Sequence, residues 1–402
     1  MILWIDAAGP PGPLVFGMTL VERHLQAVRH QQLDVSEIIV DVGDSAARPS
    51  FRPDRRLRCP IRITQVAGSV ADRLRAAAGA GNDPILATTA TSLADARLYG
   101  YLAGQAGSRQ ASDGAAVLAR IEPADIDRLD AGAAGLAEAV RPLHAVTQQE
   151  FPAFIRKLRR ELPFYVFAIT DEAKRQEVEK FLFWSNYKGS TDFFTKYVYP
   201  PLVWLMVPPL ARARIHPNWV TLVSIVLTVL VIPLSATGHF WWGFACAYGM
   251  SVLDSVDGKL ARLTFTDSWL GNILDHGLDL VHPPFWYMAW AWGLCGGDTA
   301  SPVWIASLWM LGLYVLDRLI LKVYPGRFQK GLHTHAPIDG FLRTFISRRN
   351  INLPLFTIGY ALGFGVLTIY LIVAWQVMTC LYHGLRTAWI LWIEKAVAAT
   401  GK

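Results

Sequence analysis

The stretch D254-S-V-D257-G258-K-L-A261-R262-L-T-F-T-D-S268-W-L-G271-N-I-L-D275-H276-G-L-D279 decides how this chain is read. Asp254, Asp257, Gly258, Ala261 and Arg262 fall at i, i+3, i+4, i+7 and i+8, spacings that put them on one face of a helix. Gly271, Asp275 and Asp279 recur at i, i+4 and i+8 and share a face of a second helix. The polar T264-F-T-D-S268 between them suits a tight turn. Both helices run into apolar sequence, W241-W-G-F-A-C-A-Y-G-M250 upstream and V281-H-P-P-F-W-Y-M-A-W-A-W-G-L294 downstream. Four carboxylates are therefore expected to face one another at the edge of a membrane.

Such carboxylates need partners. Two of them ~5 Å apart repel by about 3 kcal/mol even at an effective dielectric near 20. Clustered hard oxygen ligands suit Mg²⁺ or Mn²⁺, and four of them suit a two-metal clamp on a phosphoryl group. Gly258, Ala261 and Gly271 leave room for a helix or nucleotide to approach, and Arg262 offers a planar donor to phosphate. A proton relay also uses intramembrane acids, but it needs neither the glycines nor the double register.

The pattern D-x2-D-G-x2-A-R-x8-G-x3-D-x3-D resembles the signature of the CDP-alcohol phosphatidyltransferases, and every specified position is filled. The resemblance covers residues 185–395 and implies a six-helix membrane enzyme. In such an enzyme an acceptor hydroxyl attacks the β-phosphorus of a CDP-linked donor and CMP leaves. It further implies that Asp254, Asp257, Asp275 and Asp279 bind two divalent metals, with Asp279 also the base for the hydroxyl. Gly258, Ala261, Arg262, Ser268 and Gly271 would line the CDP pocket. P217-N-W-V-T221 resembles the Pro-Asn-x-x-Thr segment that the family sets beside the nucleotide, which adds Asn218 and Thr221. A helix N-terminus there also offers N–H groups to phosphate. His276 within D275-H-G-L-D279 is similar to the Asp-His-Gly-x-x-Asp of choline and ethanolamine phosphotransferases and points to the acceptor. Dimers are common in the family, so a homodimer is implied as well.

Composition divides the chain. It has 402 residues, 52% of them hydrophobic, and a formal charge of +6; mean hydropathy is +0.28. That is too apolar for an ordinary soluble protein and too polar for one lying wholly in a bilayer. Of 15 tryptophans only Trp4 precedes Trp184, as aromatic belts at bilayer interfaces require. The basic balance suits an anionic inner leaflet or phosphate substrates, and no nucleic-acid motif is present. Cys59, Cys246, Cys295 and Cys380 show no metal spacing and read as free thiols. No basic segment followed by a long apolar run opens the chain, so no cleavable signal peptide is expected.

Residues 1–150 read as a cytosolic α/β, Rossmann-like unit. Strand-like runs at 2–6, 38–42, 61–66, 85–89 and 117–121 alternate with helical patterns at 20–28 and 70–78, which argues for a parallel sheet. The layout resembles a nucleotidyltransferase domain that has lost its chemistry. A7-A-G-P-P-G-P13 has no nearby cation to cradle triphosphate, and T88-T-A-T91 stands where a metal-binding aspartate would end a strand. Asp6 and Asp41 are its residual ligand candidates. A regulatory or assembly module is expected; the rival is a bifunctional enzyme whose front half makes the CDP-alcohol.

Residues 151–216 read as linker and juxtamembrane helices. F151-P-A-F-I-R-K-L-R-R160 suits an anionic membrane surface or a solvated basic face, and the proline-broken 192–214 suits an interfacial helix. Residues 217–402 then form the transmembrane domain, with helices expected at 217–236, 240–263, 268–294, 303–323, 352–364 and 366–394. The 322–350 loop carries six Lys or Arg against Asp339, and the loops at 238 and 295–302 carry none. This bias puts both termini and the aspartate turn on the cytosolic side of the inner membrane. Arg318, in the fourth span, needs a partner and is a candidate for an anionic acceptor group; R327-F-Q-K-G-L-H-T-H335 and S347-R-R-N350 either bind such a group or only set the topology. A non-enzymatic transporter or scaffold is the remaining alternative.

Overall fold

The computed structural model describes the chain apart from residues 46–48, 55, 80, 157, 268, 324–330 and 401–402, and apart from the side chains of 270, 272–276, 278–279, 323 and 394–400. Eight strands open the fold: β1 (Ile2–Asp6), β2 (Glu37–Asp41), β3 (Ile61–Thr64), β4 (Ile85–Thr89), β5 (Ser92–Ala94), β6 (Arg109–Asp113), β7 (Ala116–Ile121) and β8 (His144–Ala145). Between them lie α1 (Leu20–His30), α2 (Val70–Ala78), α3 (Ala96–Ala103) and the short α4 (Leu136–Ala139). The main sheet runs β3-β2-β1-β4-β7-β6-β8. Its first four strands are parallel: β2, β1 and β4 are buried on both faces, as their apolar runs predict, and β3 is a half-exposed edge. Leu3, Ile5 and Val40 point to α1 and α3, while Trp4, Ile39 and Ala87 point to α2.

One expectation is corrected here. The sheet is mixed, because β7 lies antiparallel to both β4 and β6. A two-residue turn at Gly114–Ala115, with Gly114 at φ +60°, joins β6 to β7 as a hairpin, so no crossover intervenes. Both long helices are closed by capping boxes, Thr19 with Glu22 and Ser69 with Asp72.

A small ribbon, β9 (Phe154–Ile155) and β10 (Arg160–Glu161), follows, and β11 (Val166–Ala168) returns to pair with β5. Next come α5 (Glu172–Ser185) and α6 (Tyr199–Arg212), the latter carrying Pro200 and Pro201 in its first turn and Pro208 and Pro209 inside. The helical domain is then α7 (Pro217–Ala236), α8 (Phe240–Thr264), α9 (Trp269–Leu294), α10 (Pro302–Val323), the short α11 (Pro337–Leu342), α12 (Arg349–Ala361) and α13 (Gly365–Thr400). Each expected helix is present with its ends moved by a few residues.

Among the described residues, 217–236, 302–322 and 365–393 are long and apolar enough to cross a membrane. One apolar cluster bridges the two halves: Val15, Phe16 and Leu20 pack with Val203 of α6 and with Val256, Leu260 and Leu263 of α8. Glu179 of α5 reinforces it, accepting from the Phe16 N–H at 2.7 Å and pairing with Arg212 at 3.1 Å.

Candidate active site

The C-terminal half of α8 carries the first two aspartates of the motif. Helical spacing turns Asp254, Gly258 and Arg262 toward a cavity of about 350 Å³ between α8, the 186–195 segment, α10 and the start of α12. Asp257 lies a quarter-turn round the helix and is buried against α7. There the Thr221 hydroxyl donates to Asp257 Oδ2 at 2.6 Å and also lies 3.2 Å from the Pro217 carbonyl. Thr221 therefore meets the motif through a carboxylate, and neither it nor Asn218 is on the described wall of the cavity. The Asn218 N–H is engaged by His216 Nδ1 at 3.2 Å. A Cβ added at Gly258 would lie 3.3 Å from Arg262 Nη1, the mobile end of a long side chain.

Ser268 lies outside the described residues, as do the side chains of Asp275, His276 and Asp279. Their helix, α9, begins at Trp269, and Gly271 is half-buried on it. Ala261 is half-buried on α8, off the described wall. Among the described residues no group of three or more His, Cys, Asp or Glu gathers as a metal cluster.

The opposite wall is cationic. Among the described lining residues, lysines and arginines outnumber carboxylates by seven to two. Arg349 Nη2 donates to Asp254 Oδ2 at 3.1 Å, and its Nη1 lies 3.2 Å from His282 Nε2. Arg318 lies over the Tyr314 ring at 4.7 Å, and Asp317 beside it is held 2.5 Å from His383. The buried Nε atoms of Arg318, Arg343 and Arg348 have no hydrogen-bond partner among the described residues. Burial, and then the charges of Arg348 and Arg159, push the Arg343 guanidinium well below its usual value. Burial and Arg318 lower Arg348 to about 10. A cavity whose own cations depress one another is one that an anion would stabilise.

Sequence reading found Arg318, Arg348, Arg349 and Asn350 but missed Arg343 and the 186–195 segment. Asp192, 5% exposed, accepts from the Thr195 N–H at 2.9 Å and from Asn350 Nδ2 at 3.3 Å, which ties that segment to α12. The T191-D192-x-x-T195 spacing is a capping signal that could have marked it. Residues 327–330 lie outside the described residues.

Thr221→Val should leave the fold intact and, with Asp257 a metal ligand as the family resemblance implies, weaken divalent-metal affinity by about 10- to 100-fold, because it removes one of the donors that orient Asp257. A Mn²⁺ titration followed by electron paramagnetic resonance checks this, and unchanged affinity would deny Thr221 that role.

Comparison with known proteins shows what the chain is similar to. A family model described as CDP-alcohol phosphatidyltransferase matches residues 214–398. Cholinephosphotransferase 1 of Danio rerio is 32% identical over 112 residues, which are 25% of this chain and 29% of the relative. Choline/ethanolaminephosphotransferase 1 of Arabidopsis thaliana is 28% identical over 173 residues, 39% of this chain and 41% of the relative. The chain thus spans under half the length of each of these relatives. A crystal structure of Mycobacterium tuberculosis phosphatidylinositol phosphate synthase with CDP-DAG bound aligns with 48% of this chain and 94% of its own, at 20% identity and a TM-score of 0.37. By the family match, residues 214–398 are similar to a CDP-alcohol phosphatidyltransferase domain.

Proposed function

We propose that the chain transfers a substituted phosphate from a CDP-linked donor to an acceptor alcohol, with release of CMP, in phospholipid synthesis. The observation that carries this reading is the cavity itself, where Asp254, Gly258 and Arg262 of the motif stand opposite Arg318, Arg343 and Arg348. The acceptor hydroxyl attacks the β-phosphorus, the bond to the CMP oxygen breaks, and Asp279 takes the hydroxyl proton. Arg262 holds the diphosphate, with Asn218, Thr221, Gly258, Ala261, Ser268 and Gly271 shaping the nucleotide side. Arg318 and His276 are the acceptor-side residues in this reading.

Asp254, Asp257, Asp275 and Asp279 would hold two Mg²⁺ or Mn²⁺ ions. The donor set fits: Asp254 and Asp257 are hard oxygen ligands on neighbouring helix positions, and Thr221 orients one of them. Bound there, the ions would neutralise the diphosphate and polarise the phosphorus. Arg349 donates to Asp254 Oδ2 and stands among the cations that would meet the phosphate.

The same reading makes 217–402 a six-span inner-membrane domain, with the aspartate turn, the 151–216 linker and the 1–150 domain on the cytosolic side, and the protein a homodimer. The 1–150 domain is non-catalytic in this reading, because Arg73 engages both of its candidate ligands, Asp6 at 2.6 Å and Asp41 at 2.8 Å.

Three buried arginine Nε atoms without hydrogen-bond partners among the described residues favour an acceptor that carries a phosphate over neutral diacylglycerol. Full-length protein in lipid nanodiscs, given CDP-linked donors with either acceptor class and Mg²⁺, tests both points by mass spectrometry of the lipid product and of CMP. No CMP from any pair overturns the reaction. Product only from diacylglycerol overturns the anionic acceptor. Pyrophosphate released from CTP and a polyol phosphate would establish the bifunctional alternative.

A further inference from the structure

Four side chains of α1, in the α/β domain, reach the two segments that bracket the first aspartate pair, and the reaction above uses none of them. Glu22, 4% exposed, accepts from Arg214 Nη2 at 3.0 Å, three residues before α7 begins. Arg23 donates from Nη1 to the Leu263 carbonyl at 3.1 Å, in the last turn of α8. Arg29 donates from Nη2 to the Phe265 carbonyl at 2.6 Å. His30 stands 3.8 Å from Asp267 in the same turn.

That turn needs outside support. Phe265 ends α8 in the left-handed conformation (φ 54°, ψ 32°), where a phenylalanine is strained. Its own closure is a Schellman-type return, with the N–H groups of Phe265 and Thr266 turning back to the Ala261 carbonyl and the Thr264 and Thr266 hydroxyls 2.8 Å apart, and it leaves the Phe265 carbonyl to Arg29. The Arg23 guanidinium lies over its ring at 5.3 Å, and the His30 ring meets it edge-on at 5.9 Å. The two guanidiniums face the carbonyl end of α8, where the helix dipole is negative. Arg29 is itself braced by Asp54 at 3.1 Å and Gln26 at 2.9 Å, so it arrives already oriented. The apolar seam from Val15, Phe16 and Leu20 to Val256, Leu260 and Leu263 fixes the rotation of α8 at the same place.

We propose that α1 is a positioning strut: Glu22, Arg23 and Arg29 hold the start of α7 and the end of α8, and so keep the Thr221–Asp257 pair and the turn toward Asp275 in register. The proposal rests on the phosphotransfer reading for its effect on rate, but its geometry stands without it. A displacement of about 1 Å at reacting groups costs on the order of 100-fold in rate, so a modest loosening of this turn is legible in kcat. Arg29 is the informative position, since its loss leaves the Phe265 carbonyl to water and does not empty a core.

The test uses the full chain in lipid nanodiscs, comparing wild type, Arg29→Met, Arg29→Lys and Arg23→Met. Three readouts are taken: CMP release, amide exchange of the 263–267 peptide, and Mn²⁺ affinity by electron paramagnetic resonance. Arg29→Met should lower kcat about 10-fold, with KM for the donor held within about twofold. It should also speed amide exchange at 263–267 by about 10-fold without lowering the melting temperature. Arg29→Lys should recover most of kcat, because an ammonium group can reach the same carbonyl. Arg23→Met should act in the same direction; should it not fold, Arg29→Met decides alone. Unchanged exchange together with unchanged kcat in Arg29→Met overturns the strut. If wild type releases no CMP, the phosphotransfer reading fails, and exchange and Mn²⁺ affinity still judge the strut. Wild-type values of both in Arg29→Met would then reject it.

Discussion

Asp257→Asn is expected to lower CMP release by about a thousand-fold at saturating Mg²⁺ while the chain stays folded. The asparagine keeps the shape of the side chain, and its amide oxygen can still accept from Thr221, which now bonds Asp257 at 2.6 Å. What it loses is the charge. A divalent ion beside a diphosphate depends on anionic ligands to be held, and one fewer leaves the developing charge on the CMP oxygen unmatched. The mutant should bind Mn²⁺ measurably more weakly and melt at the wild-type temperature. Asp279→Asn should also abolish turnover, but with a different signature. Loss of a base leaves a residual rate that climbs with pH as hydroxide supplants it, whereas loss of a ligand does not. Activity within about tenfold of wild type in Asp257→Asn would remove that residue from the metal set. Unchanged turnover in Asp279→Asn would reject the base.

Arg73→Met should destabilise the α/β domain by about 3–5 kcal/mol, the cost of leaving a buried carboxylate without its counter-charge. Arg73 sits at the ends of β1 and β2, with Nε on the fully buried Asp41 and Nη2 on Asp6, and its guanidinium lies 5.3 Å from the Trp4 ring. Burial by itself would lower its pKa, yet the bonds to Asp6 and Asp41 outweigh that and raise it. The three groups therefore stabilise one another as a unit, and removing the cation sets two carboxylates against each other. The loss should show as an early melting step and as faster amide exchange in β1, β2 and α2. A melting profile matching wild type would mean that Asp6 and Asp41 do not need Arg73, and would reopen a cation-binding role for them. CMP release then reports on coupling: if α1 holds the aspartate turn, loosening its domain should depress turnover too.

Much of this protein could be read from residue spacing. Intervals of three, four and eight between specified residues placed Asp254, Asp257, Gly258 and Arg262 on one stretch of helix, because a helix repeats every 3.6 residues whatever surrounds it. The apolar runs that became α7, α10 and α13 declared themselves by length, and uninterrupted Ile, Leu and Val marked the strands buried on both faces. The antiparallel placing of β7 was less legible, since a strand's sequence carries its burial but not its direction, and the deciding signal was the turn before it.

Which cations would meet those aspartates was not written in any local pattern. Arg343 reads in sequence as one more charge in a basic loop, and only folding brings it beside Arg318 and Arg348 with their Nε atoms buried. Thr221 reads in sequence as a residue beside the nucleotide, and only the packing of α7 on α8 shows its hydroxyl on Asp257. The grip of α1 on the far end of α8 joins residues some 240 positions apart, Arg23 and Leu263. Periodicity is a property of the local backbone and survives in the sequence. Contacts across such distances depend on how separate elements pack, and the chain had to be folded before they could be seen.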